Sequence, residues 1–165
     1  MIRSATGFLA TCIAGALLAS CVTRFDVGDA ARDVTPEQAT RDLAAVQGRT
    51  VAWGGVIVGT TNMADKTRLE VLGYPLDPRN RPQVDVKPIG RFLAFHAGFL
   101  EPVNFAAGRL VTVVGTIGGT LTGTVGEARY LYPTLQAGRV FLWPTPEQEA
   151  SQPQFYFGVG VGIGR

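Results

Sequence analysis

The chain has 165 residues, 46% of them apolar, and a formal net charge of +2. That is enough for one domain with its own core, and no basic stripe of the kind that binds nucleic acid stands out. With one histidine, and both cysteines falling to the N-terminal signal segment, too few ligands remain for a tight zinc or copper site, and no cofactor is implied.

The N-terminus opens on Met1-Ile2-Arg3, and an apolar, small-residue run follows from Ala5 to Leu18. It ends in Leu18-Ala19-Ser20-Cys21. This is the layout of a secretory signal peptide, with a basic start, an apolar middle and small residues before the cut. The run falls short of the roughly 20 apolar residues that a membrane span needs. A cysteine directly after the small residues looks like a bacterial lipoprotein signal. That class implies cleavage before Cys21, lipid on its thiol and acylation of the new amino terminus, palmitate included. Leu9-Ala10-Thr11-Cys12 imitates the motif but leaves too few apolar residues upstream. The 15 basic side chains less Arg3 leave 14 against 13 acidic ones in the mature chain. With Cys12 removed and Cys21 acylated, the folded part has neither a disulfide nor a free thiol, so its core alone must hold it.

Residues 21–34 read as a tether. One helix is predicted next, with Thr35 as N-cap, Pro36 at its first position and Gln38 completing a capping box. Ala39, Leu43 and Val46 form its apolar stripe and Gly48 its stop. From Val51 on, β-branched runs separated by Gly, Pro, Asn and Asp predict strands. They cover Val51–Thr60, with Gly54-Gly55 inside as a bulge or tight bend, then Thr67–Tyr74, Gly90–His96 and Arg109–Ile117. In the second, Leu69, Val71 and Gly73 alternate with Arg68, Glu70 and Leu72. Gly118-Gly119 reads as a hairpin turn, Leu121–Leu135 as a fifth strand interrupted by Gly126, and Val140–Trp143 as a sixth. The fold class is mainly β: a small, partly open OB-like barrel of five or six strands with one N-terminal helix, or alternatively a small β-sandwich. The chain divides into a signal peptide at 1–20, the tether, a β domain at 35–146 and a Gly/aromatic tail at 147–165.

Ordered segments across this domain carry a resemblance. They are Trp53-Gly54-Gly55-Val56-Ile57, Thr67-Arg68-Leu69-Glu70-Val71, Tyr74-Pro75-Leu76-Asp77, Gly90-Arg91-Phe92-Leu93 and Gly98-Phe99-Leu100-Glu101-Pro102. Gly108 to Gly115, Gly126 to Pro133 and Leu142-Trp143 follow. Together with the lipoprotein signal, they resemble the Slp family of outer-membrane lipoproteins, whose named members are linked to starvation or stationary phase. The resemblance implies an outer-membrane, lipid-anchored protein of a Gram-negative envelope, facing the periplasm. Val22 follows the cysteine where an Asp would retain a lipoprotein at the inner membrane. The chain departs from the family pattern at Asn80, where Gly is expected; Asn tolerates the same left-handed turn.

The residues for chemistry are few. His96 is the sole histidine, and no Gly-x-Ser-x-Gly elbow accompanies it; it reads as structural. Glu70, Asp77, Glu101 and Glu127 could supply a glycosidase-like acid–base pair, but Arg68, Arg91, Arg109 and Arg129 stand in the same segments and are natural partners for them. Gly115 to Thr120 lacks the Lys-Ser/Thr ending of a phosphate loop. Trp53, Tyr74, Tyr130, Tyr132 and Trp143 are core or rim aromatics. Tyr130 and Tyr132, two apart on one strand face, are the best ligand candidates if that face is exposed. In the tail, Phe155-Tyr156-Phe157 precedes a Gly alternation through Gly164, which reads as a disordered tail or as an extra edge strand. Two functions therefore compete. One is a non-enzymatic structural or binding lipoprotein, with an envelope protein or glycan as partner and no nucleic acid. The other is a periplasm-facing hydrolase using a carboxylate pair.

Overall fold

A computed structural model describes residues 23–151; Cys21 and the Phe155–Gly164 segment lie outside them. Five strands carry the fold: β1 (Thr50–Asn62), β2 (Lys66–Tyr74), β3 (Arg91–Ala97), β4 (Leu110–Val125) and β5 (Ala128–Leu142). They close into a barrel in the order β1-β2-β3-β5-β4. All neighbours are antiparallel except β3 and β5, which pair parallel. This is the Greek-key order of an OB-type barrel, closed rather than partly open, because β4 pairs with both β1 and β5.

The alternation along β2 has its structural counterpart. Thr67, Leu69, Val71 and Gly73 are buried, while Arg68, Glu70 and Leu72 turn outward. The interior is filled by Val51, Trp53, Ile57, Leu69, Val71, Phe92, Val111, Val113, Ile117 and Leu135. Trp53 meets Phe92 edge-on, with ring centroids 5.2 Å apart, a favoured aromatic geometry. Curling β1 tightly enough to close the ring brings its backbone onto β2. A Cβ at Gly55 would lie 2.0 Å from the Leu72 carbonyl oxygen, so only glycine fits there.

Three sequence expectations are corrected. The predicted single helix is two: α1 (Pro36–Arg41) and α2 (Leu43–Val46), divided at Asp42. Thr35 and Gln38 form the expected capping box, but Asp42 leaves helical geometry and caps α2 through its own side chain, which accepts from the Ala45 N–H. An aspartate can compete with the helix in this way. Gly118-Gly119 is not a hairpin turn. It lies inside β4 at a bulge, where the pairing with β5 shifts register. The turn is Gly126-Glu127, and Gly126 adopts φ 58°, as the first position of a two-residue hairpin loop can require. The predicted fifth and sixth strands are therefore the end of β4 and one continuous β5. A further helix, α3 (Pro146–Ala150), is capped by Thr145 and Gln148, and its Glu149 pairs with Arg81.

The segment expected as a tether is docked from Phe25 onward. Val27 and Ala30 pack on Ala52 and Val114 of β1 and β4. Ala31 bridges to Val51 in parallel, and Val34 O accepts a 2.6 Å hydrogen bond from Trp53 Nε1. Phe25 stacks on Phe141 with centroids 4.9 Å apart. Asn80, in the left-handed conformation at φ 68°, donates from Nδ2 to the Phe25 carbonyl at 2.7 Å.

Candidate functional site

Beyond Thr116, β4 leaves β1 and runs on with β5 alone to the turn at Gly126. This two-stranded arm overhangs the outer face of β2, β3 and β5. The pairing registers align side chains across that face in two rows. Arg68 lies opposite Phe95, which lies opposite Gln136; Glu70 lies opposite Leu93, which lies opposite Thr134. The arm from Gly118 to Thr124 forms the facing wall. The groove between them comprises two depressions of about 350 and 330 Å³ that share Leu121 in their linings. Volumes of this size suit small-ligand sites.

Lys66 and Arg68 stand on the same outward face of β2, about 7 Å apart along the strand. Neither forms an ion pair among the described residues. Lys66 Nζ sits 5.6 Å from the Phe95 ring centroid, and Arg68 Nη2 donates to Thr61 Oγ1 at 3.1 Å. Glu70 is engaged on two sides: Arg91 Nη1 donates to Glu70 Oε1 at 2.7 Å, and the Tyr132 hydroxyl reaches the same oxygen at 3.0 Å. That hydroxyl also lies 3.0 Å from the Thr124 carbonyl, so Tyr132 ties the barrel face to the arm. Burial, then the bond to Glu70 and its negative charge, push the Tyr132 phenol above its usual value.

Of the sequence candidates, Glu70 and Tyr132 fall in the groove and the others elsewhere. Tyr132 is 3% exposed and lines the groove. Tyr130, its ring centroid 4.7 Å from that of Tyr132, accepts from the Arg91 N–H at 2.9 Å. It lines a separate depression with Glu37, Arg41 and Lys87. His96 is half-buried, and its Nδ1 has no hydrogen-bond partner among the described residues. Asp77 organises the loop after β2, accepting from the N–H groups of Arg79 and Arg81 at 2.8 Å each. Burial raises its carboxyl, but these two amides and the Arg79 side chain together hold it below the usual carboxylate value. Glu101 and Glu127 are exposed, on the loop after β3 and on the hairpin turn. Of the arginine partners expected from sequence, only Arg91 takes its carboxylate. Arg109 instead donates to the carbonyls of Asn104 and Trp143. Lys66, Phe95, Thr134 and Gln136 were not singled out from the sequence, because the parallel β3–β5 pairing that gathers them leaves no local signal.

Among the described residues, no helix is long and apolar enough to cross a membrane, and no cluster of three or more His, Cys, Asp or Glu could hold a metal. The model of the outer membrane lipoprotein Slp family matches residues 18–161. This chain belongs to the Slp family of outer-membrane lipoproteins. Its similarity to the Escherichia coli (strain K12) lipoprotein YeaY is 35% identity, over 90% of this chain and 80% of that protein. It is 36% identical to a Haemophilus influenzae protein over 68% of this chain and 58% of the relative. It is 31% identical to the Escherichia coli outer membrane protein Slp over 58% of this chain, which spans half of that protein. A small single-stranded DNA-binding protein of Streptomyces coelicolor superposes on 59% of this Slp-family chain with a TM-score of 0.34 and 11% identity, covering 95% of its own length.

Proposed function

We propose that this Slp-family lipoprotein is held at the outer membrane by acyl chains on Cys21, faces the periplasm, and serves as a non-enzymatic module that binds an envelope component. The observation that carries the binding role is the groove. Its walls place charged, amide, hydroxyl and aromatic side chains on a surface that the core does not use. Among the described residues, Glu70 is the one carboxylate lining it. Hydrolysis by a carboxylate pair needs a second one roughly 5–9.5 Å away across the bound substrate, so the hydrolase reading has no observation in its favour.

The docked segment supports the orientation. Cys21 precedes Phe25 by four residues, which span at most about 14 Å when extended. Phe25 is fixed to the barrel by its stack on Phe141 and its bond from Asn80. Lipid on Cys21 would therefore keep the barrel close to the bilayer. The segment covers β1, β4 and the C-terminal end of β5, and in the ring order β1-β2-β3-β5-β4 the β1–β4 side lies across from β3. The groove then opens away from the membrane.

Metabolic labelling with radioactive palmitate and membrane fractionation test the anchor. The intact chain should take up label and sediment with outer membranes, and Cys21→Ser should do neither. Protease digestion of intact cells against permeabilised ones tests the orientation; cleavage in intact cells would sink the periplasmic placement.

A further inference from the structure

The groove carries more than the presence of a site; its chemistry points to a class of ligand. Two cations, Lys66 and Arg68, project from one face of β2 and have no carboxylate partner among the described residues. The groove's own carboxylate, Glu70, is neutralised by Arg91 at 2.7 Å. The charge left to a ligand is therefore positive, spread over two positions about 7 Å apart. Paired residues one step along the same rows supply other contacts. Lys66 Nζ stands over the half-buried Phe95 ring, 5.6 Å from its centroid, and Leu93 and Leu121 line the groove as well. Gln136 and Thr122 carry amide and hydroxyl groups that both donate and accept, while the Thr134 hydroxyl already donates to the Gly119 carbonyl at 3.2 Å and is left to accept.

We infer that the groove binds an acidic oligosaccharide, a chain whose repeating carboxylates or phosphates meet Lys66 and Arg68. One sugar ring packs its C–H groups on Phe95 once Lys66 swings from over that ring to the ligand's anionic group, and the ring hydroxyls exchange hydrogen bonds with Gln136 and donate to Thr134. This inference rests on the reading of the protein as a periplasm-facing binding module. A free acyl chain is a poor match, since most of the wall is polar. Single-stranded nucleic acid is also anionic, but it uses successive aromatic platforms, one per stacked base. Here Phe95 is the one aromatic ring among the described residues lining its part of the groove, and Tyr132, in the other part, is buried and bonded to Glu70.

The test uses the full mature lipoprotein in detergent and titration calorimetry with three probes: an oligogalacturonate of about six units, neutral maltohexaose, and an oligodeoxythymidylate. The oligogalacturonate should bind at least about tenfold more tightly than either of the others, and its affinity should fall with added salt, as screened charge contacts do. Lys66→Gln with Arg68→Gln, two surface changes that leave the core intact, should weaken it about tenfold or more. Phe95→Leu should weaken oligogalacturonate and maltohexaose alike. Arg129→Gln, outside the groove, should change nothing. Preferred binding of the deoxythymidylate, equal binding of maltohexaose, or an affinity indifferent to the Lys66 and Arg68 changes would overturn the inference. So would no binding of oligogalacturonate at millimolar concentration. None of these outcomes would touch the palmitate and fractionation results, so failure of the ligand class is distinguishable from failure of the anchor.

Discussion

Trp143 donates from its buried indole nitrogen to Thr112 Oγ1 at 2.9 Å. The threonine hydroxyl passes the bond on to the Asn80 carbonyl at 2.7 Å, and the Asn80 side chain continues it to Phe25. A single hydroxyl thus links the end of β5, the start of β4, the left-handed corner after β2 and the docked N-terminal segment. Thr112→Val keeps the shape but removes the hydroxyl, leaving a buried N–H and a buried carbonyl unpaired. Each costs about 1–3 kcal/mol. Denaturant unfolding should show a clearly lower midpoint, and Phe25 should become more accessible to limited proteolysis. An unchanged midpoint would mean that the chain of bonds does not hold these elements together.

Much of the barrel was legible because its signals are local. The alternation of Leu69, Val71 and Gly73 with Arg68, Glu70 and Leu72 fixes the faces of β2 without knowledge of its neighbours. Thr35 and Gln38 mark the start of α1 by capping chemistry confined to four residues. Signals with two local meanings failed. Gly118-Gly119 suits a hairpin turn as well as a strand bulge, and only the pairing with β5 decides between them. Asp42 suits a helix interior poorly and a cap well, but the apolar spacing of Ala39, Leu43 and Val46 runs straight through it. The groove was the least legible feature. Arg68, Phe95 and Gln136 come from three strands, and they meet only because β3 and β5 pair in parallel across the sequence gap between them.

The contact of β1 with β2 sets a sharp contrast between two glycines of one strand. At Gly55 an added methyl would meet the Leu72 carbonyl at 2.0 Å, whereas at Gly59 nothing lies within 4 Å. Gly55→Ala must push the two strands apart and should cost several kcal/mol, on the order of the largest single-site effects. Gly59→Ala should be neutral or mildly stabilising, by up to about 1 kcal/mol, through loss of unfolded-state freedom. Thermal unfolding of the two variants side by side checks the difference.

Asp77 makes part of the stability pH-dependent. Its folded carboxyl is held below the ordinary value of 3.8, so the ionised form is favoured in the native state. That contribution is complete above the unfolded value and disappears as pH falls through the depressed folded one. Asp77→Asn should therefore destabilise the protein most near neutrality. Its deficit should begin to shrink below about pH 4, where the unfolded wild-type carboxyl takes up its proton, and close as the folded one does so at lower pH. Unfolding midpoints measured across pH 2–7 would show the two curves converging at the acid end; parallel curves would contradict the assignment.

Tyr132 gives the opposite sign at the alkaline end. Burial and the bond to Glu70 raise its phenol above the ordinary 10.0, which favours the neutral form in the fold. This contribution is present below pH 10 and lost as pH rises through the folded value. Tyrosinate absorbance should show a late-ionising group that Tyr132→Phe removes. The same change should cost about 0.5–1.5 kcal/mol at neutral pH, typical of one hydrogen bond, and should loosen the arm over the groove.

The short leash from Cys21 to Phe25 predicts which side of the barrel meets lipid. Arg139 donates to the Asp26 carbonyl at 2.9 Å and its guanidinium lies 5.4 Å from the Phe25 ring centroid, so it marks the anchored side. Arg68 marks the groove, beyond β3 in the ring. A photoreactive residue placed at 139 in the acylated protein, reconstituted in phospholipid vesicles, should cross-link to lipid; one at 68 should not. Inserting a flexible Gly/Ser linker of about twelve residues between Val22 and Thr23 lengthens the leash by roughly 20 Å in root-mean-square terms. It should abolish the preference while leaving the protein on the vesicles, since the acyl chains alone hold it there. Equal labelling at 139 and 68 in the uninserted protein would show that the barrel tumbles freely at the membrane, and that the groove has no fixed outward direction.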